Sequence, residues 1–136
     1  MRSLLAALLL GLTLAAHAQA RPEVGRYVKA WSGPEGIVVW TLRYGPPEAQ
    51  EALVQVNGID HKWDHRILRV KTVPMQNGSK FILHADGRQY EVLTADDAGM
   101  ELLVPGMARR LPLRYEKDLS SQGNAQHFLT EYEEQK

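Results

Sequence analysis

Cysteine is absent from the chain. That excludes a disulfide framework, a thiolate nucleophile and any cysteine-bound metal. An excess of either charge is also lacking, because 16 Lys and Arg stand against 16 Asp and Glu. Without a basic stripe, neither nucleic acid nor an anionic membrane is expected as the main partner. The familiar catalytic signatures are missing too. There is no G-x-S-x-G elbow, no H-E-x-x-H pair and no glycine-rich phosphate loop. Acidic neighbours such as Asp96-Asp97 and Glu133-Glu134 sit in turn or terminal contexts. On a strand they would point to opposite faces, a poor arrangement for a catalytic carboxylate pair.

Only one long apolar run is present, and it stands at the start. Arg2 supplies a positive charge, and residues 4–16 (LLAALLLGLTLAA) follow. The run is shorter than the roughly 20 residues needed to cross hydrocarbon. Small residues at Ala16, Ala18 and Ala20 offer the spacing a signal peptidase accepts. Residues 1–20 are therefore expected to be a cleaved secretory signal peptide, with Arg21 or Gln19 as the new start. No cysteine is available for lipid attachment at that start, so a periplasmic or secreted protein without a membrane anchor is expected. Removing 20 of 136 residues leaves 116, the size of one domain. Loss of Arg2 leaves 15 basic against 16 acidic side chains, a net charge of −1. Residues 21–136 must then be held together by an apolar core alone, which this length permits.

What the chain does contain is strand pattern. Residues 37–44 (IVVWTLRY) and 52–56 are rich in β-branched and aromatic side chains. Residues 66–73, 80–85, 89–94 and 100–104 continue the pattern. Residues 111–119 alternate most clearly, with Leu111, Leu113, Tyr115 and Leu119 expected on one face. Residues 125–134 suit either a helix or a last strand carrying Phe128, Thr130 and Tyr132 on one side; the strand is preferred. A single helical turn fits residues 47–53. Between the runs, Asn77-Gly78 and Asp86-Gly87 are hairpin pairs, and Asn57-Gly58 and Pro105-Gly106 break the chain. The expected fold is all-β: a small antiparallel meander of about eight strands forming a barrel or a sandwich.

Residues 57–66 (NGIDHKWDHR) form the most chemically loaded stretch. His61 and His65 would share a metal only on a helical turn, since a strand would separate them by roughly 13 Å. No zinc signature has this spacing, so no metal or other cofactor is assigned. The expectation is a protein-contact surface made by Trp63, His61, His65, Asp64 and Arg66, with Trp63 as an exposed anchor. The competing reading places Trp63 in the core. Met75, Met100 and Met107 are too scattered for a thioether copper site and read as core filling.

These features suggest a non-enzymatic, protein-binding module acting outside the cytoplasm on an envelope or extracellular protein, of inhibitor or immunity type. In outline such a domain resembles the small bacterial lysozyme-inhibitor barrels, although the disulfide usual there is missing. The alternatives are a barrel carrying a small apolar ligand, with Trp31, Trp40, Tyr44, Phe81 and Tyr90 around its interior, and a small hydrolase.

Overall fold

The computed structural model describes residues 21–135; the expected signal peptide lies outside them. Eight antiparallel strands follow one another around a closed barrel. They are β1 (Lys29–Ser32), β2 (Val38–Tyr44), β3 (Glu51–Asn57), β4 (Ile67–Met75), β5 (Gly78–Ala85), β6 (Arg88–Asp96), β7 (Gly99–Leu102) and β8 (Leu111–Tyr115). Pairing of Trp31 with Tyr115 and of Ser32 with Arg114 joins β8 to β1 and closes the ring. The barrel is thus the outcome, not the sandwich. Two-residue links join β4 to β5, β5 to β6 and β6 to β7. In the second of these, Asp86 and Gly87 both have positive φ, 53° and 72°, the twist a tight hairpin needs.

Alternation along the strands sorts side chains to the two faces of the wall. Val39, Val54, Val56, Val70, Val92, Leu93, Leu102 and Leu113 fill the interior as one cluster. A register shift opposite Phe81 and Ile82 lets the adjacent Val92 and Leu93 both reach it. An eight-stranded barrel is just wide enough for side chains to fill in this way. On the outside, Leu42, Leu53 and Ile67 form an apolar patch with Val28. Two helices follow the last strand, α1 (Lys117–Ser121) and α2 (Ala125–Glu134). α2 lays Phe128 and Leu129 on the outer patch, and its Tyr132 meets Tyr44 edge-on at 5.7 Å.

The expected strand over residues 125–134 is therefore corrected to a helix. Closure of the barrel leaves no open edge for another strand to join. The Asn124 side chain caps the helix by accepting from the His127 amide at 3.0 Å. Phe128, Leu129 and Tyr132 then share one helical face. The place of that strand in the ring is taken by β1, whose four residues, KAWS, carry too little pattern to be read alone. The strand expected over residues 111–119 stops at Tyr115, which is 47% exposed. Leu119 belongs to α1. There Ser120, buried, accepts the Ala30 amide at 2.8 Å and donates to the Glu116 carbonyl at 2.6 Å, tying α1 to the barrel wall. No helix among the described residues is long and apolar enough to cross a membrane.

Candidate functional site

The meander gives the barrel two ends with different fates. At one end lie the connections over residues 33–37, 58–66, 86–87 and 103–110. Here residues 58–66 fold back over the barrel. Asp64 Oδ1 accepts the Gly58 and Ile59 amides at 2.8 and 3.2 Å. The His65 amide donates to the Val56 carbonyl at 3.0 Å, and Gln55 donates to the His65 carbonyl at 2.9 Å. This clasp turns Trp63 inward, where it is 5% exposed and belongs to the interior cluster. Its ring meets Tyr90 edge-on at 5.5 Å and His61 at 4.7 Å. The expected exposed anchor is thus a core residue that plugs this end of the barrel.

The other expected contact residues do not gather into one site. His61 uses Nδ1 to accept the Trp63 amide at 3.1 Å. His65 points away to Asp64, with Nδ1 2.9 Å from Oδ2. That histidine contact, with the two backbone amides, holds the Asp64 carboxyl below its usual range. Arg66 is exposed beside them. Among the described residues, no three His, Asp or Glu side chains are grouped to hold a metal ion. Lys62 and Asp86 lie 3.5 Å apart, joining two of the connections over a small cavity of 270 Å³ that Trp63 and Tyr90 help to line.

The opposite end is open. There a cavity of 470 Å³ is bounded by Arg26, Tyr27, Lys29, Thr41, Arg43 and Phe81, among others. Strand parity explains the set. Thr41 and Arg43 follow Val39 on the inner face of β2, and Lys29 lies across from Thr41 on β1. Thr72 faces Phe81 across the β4–β5 pair. Towards this end, then, the inward face changes from aliphatic to polar and cationic. The segment ahead of β1 forms one lip. Val24 pairs with Tyr44, and the Gly25 amide donates to the Arg43 carbonyl at 2.9 Å. The far lip is the β4–β5 hairpin, which runs past the start of β3.

The polar groups of the mouth differ in how far they are occupied. Arg43 is engaged by the Gly45 carbonyl, and at 3.4 Å by the Val24 carbonyl and the Glu23 carboxylate. Glu51, at the rim, is held by Arg69 at 2.9 Å and Lys71 at 3.2 Å on the outer face. These contacts keep its carboxyl below the usual range against the opposing effect of burial. Lys29 has no carboxylate at ion-pair distance among the described residues. Thr41 accepts the Trp31 indole N–H at 3.3 Å, so its own proton is directed to no protein acceptor among the described residues. Tyr27, at the lip, is 72% exposed with the Arg26 guanidinium 5.7 Å from its ring centroid.

Sequence pattern alone does not reveal this mouth. The one clue along the chain is the apolar-to-polar drift through Val39, Thr41 and Arg43, and Lys29 sits on β1, whose four residues carry too little pattern to be read alone. Of the five aromatics expected around the interior, Trp31, Phe81 and Tyr90 pack against the inner cluster, while Trp40 and Tyr44 lie outside beneath α2. No protein-family model, curated protein or solved structure matches this chain, so the reading of the site rests on its geometry.

Proposed function

We propose that this protein is a small exported binding module, of inhibitor or immunity type, that engages an envelope or extracellular protein through the open barrel mouth. One observation carries the reading: the two ends of the barrel are treated differently. Trp63 and the clasp around Asp64 plug one end. The other keeps a 470 Å³ cavity with Tyr27 standing 72% exposed at its lip. Exposed tyrosine and arginine beside a concavity are the residue types that dominate binding energy at protein interfaces. Val73, on the hairpin that forms the far lip, is 44% exposed and adds apolar area. The working surface therefore moves from residues 57–66 to the far end of the barrel. A carrier role has less support, because the barrel centre is filled by Val39, Val54, Val56, Leu93 and Leu102, each fully buried.

The test is a comparison of immobilised proteins exposed to an envelope extract. The wild-type protein and Arg109→Ala, altered at the plugged end, are expected to retain the same stoichiometric partner. Tyr27→Ala is expected to lose it, with an unchanged melting temperature. Equal retention by Tyr27→Ala would remove the mouth as the contact surface.

A further inference from the structure

The donors and acceptors of the mouth are unbalanced, and the imbalance specifies a ligand chemistry. Lys29 projects from an inner-face position with no acidic partner among the described residues. The Thr41 hydroxyl has its oxygen occupied by the Trp31 indole and its proton free to be donated. Thr72 and Gln50 line the same space with side chains that make no hydrogen bond to another described residue. The acceptors near them are already satisfied. Glu51 is taken by Arg69 and Lys71, and the Glu23 carboxylate lies on Arg43. What remains is a cluster of unspent donors around Lys29, the one unpaired cation on the inner face of the strands, with Arg26, also without a carboxylate at ion-pair distance among the described residues, over the Tyr27 ring at the lip. Phe81, Ala52 and Pro47 supply the apolar surface.

From this we infer that the mouth binds a monocarboxylate carried on an apolar or aromatic body, with Lys29 as its counter-charge and the Thr41 and Thr72 hydroxyls as neutral donors. The inference rests on the mouth being the binding site proposed above and names the group it takes. Charge decides between anions. The guanidinium of Arg43 is already spread over two carbonyls and a carboxylate, and that of Arg26 lies over the Tyr27 ring at the lip. Lys29 is therefore the one free positive charge on the inner face of the wall, and it matches a carboxylate. A phosphate monoester carries nearly two negative charges at neutral pH and would be matched only by drawing Arg26 off the Tyr27 ring as well. The cavity, at 470 Å³, has small-molecule dimensions. The same carboxylate could be that of a free amphipathic acid or belong to a segment of a protein partner.

The experiment titrates the exported protein with octanoate, 4-phenylbutyrate, octan-1-ol and phenyl phosphate, following backbone amide signals by NMR. Both carboxylates are expected to shift the signals of Lys29, Thr41, Arg43 and Thr72, and the alcohol to leave them in place. Lys29→Gln is expected to weaken carboxylate binding by at least about tenfold, the scale of a charged hydrogen bond, while Lys29→Arg retains it. An amphipathic acid released on denaturing the wild-type protein, and missing from Lys29→Gln, would identify a free ligand. Displacement by octanoate of the partner that depends on Tyr27 would assign the carboxylate to that partner. Equal binding of octanol and octanoate would overturn the inference. So would tighter binding of phenyl phosphate than of 4-phenylbutyrate, or an affinity unmoved in Lys29→Gln. If any of these occurred while capture still depended on Tyr27, the binding function would stand and only its carboxylate chemistry would fall.

Discussion

Trp63 shows how a single side chain changes meaning between sequence and fold. Set among charged neighbours in NGIDHKWDHR, it has the surroundings of an exposed anchor. The Asp64 clasp instead drives it into the barrel end against Tyr90. Trp63→Ala is accordingly expected to cost about 3–5 kcal/mol of unfolding free energy, as a large buried aromatic does. Urea denaturation measures this; a loss below about 1 kcal/mol, the range of ordinary surface changes, would return Trp63 to the surface. Glu51 makes a second residue-scale prediction, through pH. Its carboxyl lies below the usual value of 4.5, chiefly because Arg69 donates to it. A depressed carboxylate contributes stability fully present above its unfolded pKa and lost as pH falls through its folded one. The wild-type protein should therefore melt above Glu51→Gln at pH 7, with the gap narrowing below about pH 4. A gap unchanged at pH 3 would show that the ion pairs with Arg69 and Lys71 contribute nothing. The side chain is only 13% exposed, so solvent screening of these pairs is partial.

At the scale of elements, local chemistry specified the hairpins more firmly than the ends of the domain. Asp86-Gly87 forms the turn that its residues suggest, with both φ angles positive. The expected Asn77-Gly78 pair is corrected, because the β4–β5 link is Gln76-Asn77 and Gly78 opens β5 paired with Met75, where it is glycine for a different reason. A Cβ built there would lie 1.9 Å from the Ala95 carbonyl oxygen on the neighbouring strand. Backbone cannot retreat as a flexible side chain can, so Gly78→Ala must push β5 and β6 apart where their pairing begins. A drop in melting temperature is expected that exceeds the drop for Gly87→Ala, since Gly87 has open space around it. Equal effects in calorimetry would mean that left-handed backbone geometry, and not close approach, governs both sites. The C-terminal segment was legible only in part. Its Phe128, Thr130, Tyr132 alternation fits a strand, and Phe128, Leu129 and Tyr132 fit a helix equally well. The choice came from outside the segment, through an apolar patch on β2–β4 and a paired barrel edge. Gln135 finishes the attachment. Its carboxamide accepts the Ile67 amide and donates to the Ile67 carbonyl, both at 2.7 Å, filling the place of a neighbouring peptide group.

Over the whole molecule, closure and covering reinforce each other. Eight paired strands leave no open edge strand to aggregate along, only a short overhang of β4, and α2 shields the apolar patch of outer wall. Val73 and Pro74 continue β4 beyond the start of β3. Because the Thr72 amide reaches the Gln50 carbonyl at 2.8 Å, strand parity places the Pro74 nitrogen on the same open side. Having no N–H to offer, it blunts that short stretch of free edge. Export is an expectation drawn from residues 1–20, and the start of the mature protein tests it. Mass spectrometry of protein secreted by a bacterial host is expected to find a start at Arg21 or Gln19. An intact Met1 on membrane-bound product would sink the periplasmic or secreted assignment. Arg21 is already engaged with α2, donating to Thr130 at 2.8 Å and to the Gln126 carbonyl at 3.2 Å. Cleavage just before it would leave the new terminus docked against the helix.

Sequence by itself determined the local chemistry of this protein: strand-forming residues, a tight turn at Asp86-Gly87, and a core that must hold without disulfides. Those properties depend on neighbours along the chain, so they could be read there, and with them the all-β class. Tertiary structure decided what depends on neighbours through space. Strand β1 exists because β8 and β2 both need a partner, and α2 is a helix because the outer wall has an apolar patch to cover. Trp63 is core because Asp64 folds its loop inward. The mouth, too, was settled only in the closed ring, where strand parity gathers Lys29, Thr41, Arg43, Thr72 and Phe81 from four strands around one opening. Residues more than 50 positions apart in the chain become neighbours there, and no periodicity within a single segment carries that information.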